Sequence, residues 1–556
     1  MSHKSHRTTF QLSALTAALL LSTSMPSQAF QFDTGQSDLR VRLDTNVKYN
    51  AAWRVQGQSD RLLVDPTLDD GDRNFKKGAM INNRVDVFSE FDVNYNGMGV
   101  RVSGAAWYDR VYNRKNDHDN PASSNNLSVD YNEFTDETRR LHGRDAELRD
   151  AFVYSDFDLG EDMWGVVRLG QHSLLYGESL FFGNNGIAGG MMPINAIQAL
   201  SVPNSQFKEL VLPVKQVSGE MQVTPALSVG AYYQFEWERT RVPAVGSYFS
   251  PADLLDGGGE RIIAGPGLSL YRTSDLEARD SGQWGMQLRY RADSIGTEFG
   301  LYAINYHEKN FQVQVRPFAV PQPGLAGDTV LGRYMLVFPE DVRAYGFSIN
   351  KGVGSANVAF EASTRRNAPL VSLTVTDIAG NHDNSGNPLY AVGNTAHAQI
   401  NLINILPQGP LWDTAALMAE LAWNRTLSVT KNEEWLDPNN TRDATAMRLV
   451  FTPTYFQVFD GIDLSVPMGV SYGIDGRSSA VGGFSQAKGG GFNVGLSAEY
   501  LKRLTVSLSY NGFYGPTDRV NNAEFVPSIG AVSGVKSYEQ TNGDRDFISL
   551  NASYTF

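Results

Sequence analysis

The chain has 556 residues, with 60 acidic against 47 basic side chains and a formal net charge of −13. That balance argues against a nucleic-acid partner, because a polyanion is held by a local excess of cations. Cysteine is absent, so stability must come from something other than disulfides.

Met1 to Ala29 reads as an export signal. Lys4 and Arg7 supply the positive start, Leu12 to Leu21 is an apolar run too short to cross a bilayer, and Ser27-Gln28-Ala29 is a small-x-small cleavage site. Residues 30–556 then form one exported domain. No later segment offers the roughly 18 consecutive apolar residues of a transmembrane helix. Gly, Asn and aromatic residues are abundant, and helix-forming runs are scarce. The composition suits a large exported all-β protein: a soluble sandwich, a propeller or a membrane barrel.

A period of two recurs from end to end. The first predicted strand carries Val41, Leu43, Val47, Tyr49, Ala51 and Trp53 on one face and Arg42, Asp44, Asn46 and Lys48 on the other. The second sets Val85, Val87, Phe91, Val93 and Tyr95 against Arg84, Asp86, Glu90 and Asp92. Asn96-Gly97 makes a tight turn into a third strand, with Val100, Val102 and Tyr108 alternating with Arg101, Ser103 and Asp109. Further strands are expected near 144–156, 163–173, 212–223, 226–240, 283–292, 297–309, 341–351, 355–367, 393–406, 413–430, 443–460, 462–473, 489–501, 504–514 and 545–556. In the last, Ile548, Leu550, Ala552, Tyr554 and Phe556 share a face. A strand ending on Phe resembles the assembly signal of outer-membrane barrels, with Tyr554 and Phe556 in that role. The total is about 18 strands.

The connections alternate long and short. Short turns such as 223–226, 294–296, 352–354, 460–461 and 502–503 lie between long stretches near 56–81, 113–143, 174–211, 241–282, 310–340, 368–392, 431–442, 474–488 and 515–544. Outer-membrane barrels sort their connections this way. In hydrocarbon every backbone amide needs a partner, so only a closed sheet survives. The fold expected is an all-β, transmembrane antiparallel β-barrel with an apolar outer face and a polar lumen. Trp53, Tyr95, Trp164, Trp237, Tyr290, Trp423, Tyr500 and Tyr510 are placed for interfacial girdles. Phe235 and Trp237 are expected toward lipid, with Glu236 and Glu238 inside. Strands 300–307 and 342–350 are apolar on both parities in places, as if their inner faces packed against something in the lumen.

The third long loop differs from the rest. Its run from Leu174 to Val211 is apolar and glycine-rich with few charges. Exposed to water it would be an aggregation hazard, so it is expected to fold into the lumen as a constriction or plug. A short helix is expected over Ile194–Leu200, started by Pro193 and closed by Pro203. Met and Phe side chains adapt to apolar ligands of varied shape. Tyr176, Glu178, Phe181, Phe182, Met191, Met192, Ile194 and Ile197 are therefore the candidate ligand path. The alternative is a loop that only braces a wide barrel.

Several blocks carry a family resemblance. They are Phe30-Gln-Phe-Asp-Thr-Gly35, Arg168-Leu-Gly-Gln-His-Ser-Leu-Leu-Tyr-Gly-Glu-Ser179, Lys208-Glu-Leu-Val-Leu-Pro213, and Ala231 to Glu238 followed by Pro243 to Ser250. The chain resembles the Gram-negative exported proteins grouped as domain of unknown function 1302. That resemblance implies an outer-membrane protein associated with uptake or breakdown of hydrophobic compounds such as alkanes, steroids and esters. It also implies a companion exported protein and an efflux-type transporter as partners, and it carries over no catalytic residue. The chain departs from the family at Gln171-His172 and Tyr176, where an Arg-Gln pair and a Trp are expected.

Other chemistry is thin. Gly469-Val-Ser471-Tyr-Gly473 matches a nucleophile elbow but sits inside a predicted strand with no helix after it. His142, His172, His307 and His397 could serve a Ser-His hydrolase, without any spacing that selects one. Asp65, Asp69, Asp70 and Asp72 lack the spacing of an EF-hand and read as a solvated acidic loop rather than a calcium site. Arg84, Asp86, Glu90, Asp92, Arg101, Asp109, Glu147, Arg149 and Arg168 form a lumenal charge set. Cross-strand pairing that stiffens the wall is the expected role, and solute guidance the alternative.

The reading is a diffusion-driven outer-membrane channel for small hydrophobic compounds, with no cofactor, no metal and no catalytic residue. Its expected partners are outer-membrane lipid, the barrel assembly machinery and the hydrophobic molecule itself. A polar-solute porin and an outer-membrane esterase or lipase are the alternatives.

Overall fold

The computed structural model describes residues 30–32, 38–160, 163–202, 205–518, 520–526, 531–536 and 539–556. The expected export signal over 1–29, residues 33–35 and Pro203 lie outside the described residues.

Eighteen antiparallel strands close into one barrel. They are β1 (Leu39–Arg54), β2 (Met80–Tyr95), β3 (Met98–Asp109), β4 (Arg144–Asp158), β5 (Trp164–His172), β6 (Val214–Thr224), β7 (Leu227–Gln234), β8 (Gln283–Ala292), β9 (Thr297–Tyr306), β10 (Val342–Val353), β11 (Ala356–Pro369), β12 (Val392–Leu406), β13 (Thr414–Lys431), β14 (Asp443–Phe459), β15 (Ile462–Ser465 with Met468–Gly476), β16 (Gly490–Tyr500), β17 (Leu504–Tyr514) and β18 (Phe547–Thr555). The seam is made by β18, which pairs with β17 on one edge and with β1 from Asn46↔Thr555 to Arg54↔Phe547 on the other. Below that seam Phe30–Phe32 pairs with Val41–Leu43, the part of β1 that β18 does not reach. Phe556 N–H donates to Thr45 O at 2.9 Å in the gap between them. Sealing the margin this way removes the free amides that a bilayer would penalise.

The two faces follow the alternation. Val85, Val87, Phe91, Val100, Val102, Phe492, Val494, Leu496, Ile548 and Leu550 are exposed on the outer face, while Lys48, Asn50, Arg84, Asp86, Ser103, Ser549 and Asn551 are buried toward the lumen. At the short-turn end Tyr95, Trp164, Tyr290 and Tyr500 are exposed near strand termini, as a girdle requires. Tyr108, Tyr233, Trp284 and Tyr345 form the corresponding set toward the other end. The Asn96-Gly97 turn takes positive φ at both residues (50° and 83°), the geometry that matches hairpin twist.

One strand is shorter than its alternation predicts: Leu227–Gln234 instead of 226–240. β7 leaves the wall at Gln234, so Trp237 is not a girdle residue and Glu236 and Glu238 are not wall positions. Trp237 is buried against Phe338, with ring centroids 4.9 Å apart, and its Nε1–H donates to Glu308 O at 3.3 Å. Glu236 pairs with exposed Lys215 at 2.6 Å. The alternation continued past Gln234, but burial under neighbouring loops outweighed it.

The long connections are not merely irregular. Arg261–Gly265, Leu268–Arg272, Gln312–Pro323, Thr329–Val337 and Val375–Thr376 form a five-stranded sheet above the barrel, with parallel as well as antiparallel pairings. Its prolines (Pro317, Pro321, Pro323) mask the strand signal in the sequence.

The lumenal loop and its wall as candidate functional site

The segment between β5 and β6 lies inside the barrel and is held there by wall side chains. Its spatial order follows from a few anchors. Glu361 on β11 accepts the Glu178 N–H at 2.6 Å and the Ile187 N–H at 2.7 Å. Glu420 on β13 accepts the N–H groups of Leu180 (3.1 Å), Phe181 and Phe182 (2.9 Å). A carboxylate facing several convergent N–H donors makes charge-assisted hydrogen bonds, stronger than neutral ones. Two glycines admit Glu361. A Cβ at Gly177, whose φ is +97°, or at Gly186 would collide with its carboxylate oxygens. No side chain fits either place, which is why this stretch is glycine-rich.

Further anchors surround these. Glu178 is fully buried; its Oε1 accepts from Arg289 at 2.7 Å and its Oε2 from Asn350 at 2.9 Å. Asn185 Oδ1 meets His397 Nδ1 and Asn424 Nδ2, both at 3.2 Å. Arg365 donates to the carbonyls of Asn184 (2.6 Å) and Gly186 (3.0 Å). On the returning limb Arg149 donates to Val211 O at 2.7 Å, and Lys48 pairs with Glu209 at 2.5 Å, both partners buried. The loop thus touches wall strands from β1 round to β14.

An apolar cluster supplies the mortar. Met191 and Met192 are sealed among Tyr176, Ile187, Val211, Tyr232, Tyr302, Ile304 and Tyr306. Here lies the reason that β9 and β10 are apolar on their inner faces. The candidate path is corrected accordingly. Tyr176, Glu178, Met191 and Met192 are buried packing and anchoring residues. Ile197 is buried elsewhere, with Leu141 and Ala244. Phe181, Phe182 and Ile194 stay partly exposed, as do Leu180 and Leu200, and Phe182 meets Phe484 at 5.3 Å between ring centroids. The helix is also shorter than expected. It spans Ala196–Ser201 and is capped by Asn195, whose Oδ1 accepts the Gln198 N–H at 3.1 Å. An Asn at that place competes better for the first turn than a proline two residues earlier.

The lumenal charge set is paired, but mostly not across strands. Arg84–Asp86 (2.7 Å) and Arg149–Glu147 (2.8 Å) lie two residues apart on one inward face, and Arg101–Asp92 (3.0 Å) crosses from β3 to β2. Glu147 also holds Arg241 at 2.6 Å, and Glu90 lies 3.7 Å from Lys208 of the lumenal loop. Asp109 accepts the N–H groups of Asn83 (3.1 Å) and Val111 (2.8 Å). The Arg168 side chain makes no ion pair or hydrogen bond among the described residues, although its backbone is paired in the sheet.

The acidic loop is buried, not solvated. Asp72 pairs with Arg54 at 2.6 Å, and Arg54 reaches Asp544 at 3.1 Å, so the first and last loops are knitted together. Asp69, Asp70 and Asp253 bring carboxylate oxygens within 4.8 Å of one another, a spacing that a divalent cation could bridge. Arg73 pairs with Asp69 at 2.5 Å and His118 with Asp70 at 2.9 Å. Burial, and then the charge of Asp70, push the Asp69 carboxyl from 3.8 up to about 7. Between those values the folded loop holds a proton that the unfolded loop has lost. Its stability is therefore gained as pH falls and lost as pH rises through about 7. Hydrogen-exchange protection over 66–74 is expected to increase from about pH 8 to about pH 6, and to be flat in Asp69→Asn.

The histidines serve structure. His172, at the departure from the family pattern, meets Ser218 Oγ at 2.7 Å and Gly170 O at 3.0 Å. His142 accepts the Ala244 N–H at 3.1 Å, and His307 holds Ser281 O at 2.8 Å. Ser471 lies inside β15 and bonds the backbone of Gly491.

A closed barrel with an apolar outer belt, short turns at one end and a loop tied into its lumen defines an outer-membrane β-barrel of the porin type. The chain belongs to the family described as protein of unknown function DUF1302, whose model matches residues 11–556. Curated protein sequences yield no match. Among solved structures the chain is similar to OccAB2 of Acinetobacter baumannii, at 10% identity over 93% of this chain and 98% of that one, with a TM-score of 0.41. It is likewise similar to OccD3 of Pseudomonas aeruginosa (10%, 93% and 91%, 0.41). A third similarity is to the outer membrane channel DcaP of Acinetobacter baumannii (8%, 94% and 98%, 0.36).

Proposed function

We propose that this barrel is a passive outer-membrane channel admitting small hydrophobic compounds past the lumenal loop. The observation that carries the reading is the loop tip. Leu180, Phe181 and Phe182 present partly exposed apolar side chains in the lumen while Glu420 fixes their backbone. A wall that only needed bracing would gain nothing from apolar side chains left wet at the tip. Passage runs down a gradient, with a periplasmic companion and an inner-membrane transporter drawing the compound off. Residues 1–29 direct export, and Tyr554 with Phe556 present the C-terminal strand to the assembly machinery. The same reading makes the protein a non-enzyme, since its lumenal histidines are engaged in structural contacts.

A polar-solute porin is the second reading, favoured by the paired charges of β2–β4. Purified protein in liposomes separates the two. Faster entry of an alkane or fatty acid than into protein-free liposomes, with small ion conductance, is expected. Entry no faster than the control, with a large steady conductance, refutes the hydrophobic route.

A further inference from the structure

Arg448 on β14 stands directly across from Glu420 on β13. The obvious expectation is an ion pair. Instead, Glu420 is turned to the three loop N–H groups, and the Arg448 side chain makes no ion pair or hydrogen bond among the described residues. The guanidinium lies over the Phe181 ring, 4.9 Å from its centroid, and the side chain is exposed to the lumen. Its neighbours on the far side are not acidic. Ser471 is its partner on β15, Ser471 in turn bonds the backbone of Gly491 on β16, and Asn493, two residues further along that strand, opposes Asn511 on β17.

A guanidinium keeps its charge and carries five N–H donors in a planar fork that matches a carboxylate. One that faces water beside Phe181, Phe182 and Phe484 combines a carboxylate receptor with an apolar shelf a few ångströms away. We infer that Arg448 and this aromatic shelf form a recognition site for amphipathic monocarboxylates, the fatty-acid or steroid-acid kind. The carboxylate takes the fork of Arg448, and the apolar body lies on Phe181 and Phe182. Glu420 shapes the site indirectly, by holding Phe181 under the guanidinium and giving its hydrogen bonds to the loop, so that the fork of Arg448 stays without a protein acceptor. This rests on the hydrophobic-channel reading and narrows it, because an alkane would have no use for the cation.

The test uses the full-length protein in nanodiscs, titrated calorimetrically at about pH 8 with octanoate and with octanamide, against empty nanodiscs. Octanoate is expected to bind more tightly than octanamide. R448Q should weaken octanoate about tenfold or more while leaving octanamide unchanged, with R448K between, as loss of a bidentate charged contact requires. Wild-type protein provides a check that needs no variant to fold. Raising salt from about 50 mM to about 500 mM should weaken octanoate and spare octanamide. Octanoate affinity that ignores both R448Q and salt overturns the inference, as does an equal loss of both ligands. Octanamide binding without preference for octanoate overturns the inference alone. Failure of wild type to bind either ligand overturns the channel reading with it.

Discussion

Replacing Glu361 and Glu420 together with Ala is expected to raise single-channel conductance several-fold in planar bilayers and to speed hydrogen exchange over 178–187. The two carboxylates accept five loop N–H groups, two at Glu361 and three at Glu420. Hydrogen bonds to a charged group contribute about 1.5–3 kcal/mol each, and lumenal water replaces only part of that. The neighbouring anchors do not compensate. Arg365 and Asn185 hold the loop through carbonyls and one side chain, not through these N–H groups. Gln at both positions keeps an acceptor without the charge, so its effect falls between. The apolar cluster around Met191 still holds the return limb, and the expected change is release of the tip, not ejection of the loop. Conductance and exchange that both match wild type would show that the carboxylates do not restrain the loop.

Leu496→Arg and Ser497→Arg are adjacent substitutions with opposite expected outcomes. Leu496 is 49% exposed midway along β16, on the outer face, and Ser497 points to the lumen beside Ser507. An arginine facing the centre of a bilayer costs about 2–4 kcal/mol, whereas a lumenal one remains hydrated. Urea unfolding in lipid vesicles should show the loss for Leu496→Arg and little change for Ser497→Arg. Equal effects, or the reverse order, would overturn the assignment of faces along the barrel.

The strands were legible because each must satisfy two solvents at once. Residues such as Val85, Val87 and Phe91 against Arg84 and Asp86 write that demand as a period of two. The lumenal loop was legible for a related reason: an apolar stretch flanked by polar loops has to be covered. What failed was the assignment of its individual side chains. Met191 and Phe181 look alike in sequence, yet one is sealed against Tyr302 and Tyr306 and the other borders the lumen. Nothing local distinguishes them, because the difference is set by wall residues more than 100 positions away. The acidic loop failed the same way. Asp69, Asp70 and Asp72 suit water, and only the approach of Arg54, Arg73 and His118 made burial tolerable.

From its own order of residues the chain determined a cylinder: which positions face lipid, how many times it crosses and which loop turns inward. These depend on local alternation and on solvent preference, and both are written residue by residue. Tertiary structure alone decided that Glu420 gives its hydrogen bonds to the loop and leaves the guanidinium of Arg448 without an ion-pair contact. Cross-strand opposition puts a cation and an anion face to face, and the competing N–H donors come from a segment about 240 residues earlier, visible only once the barrel has closed around it.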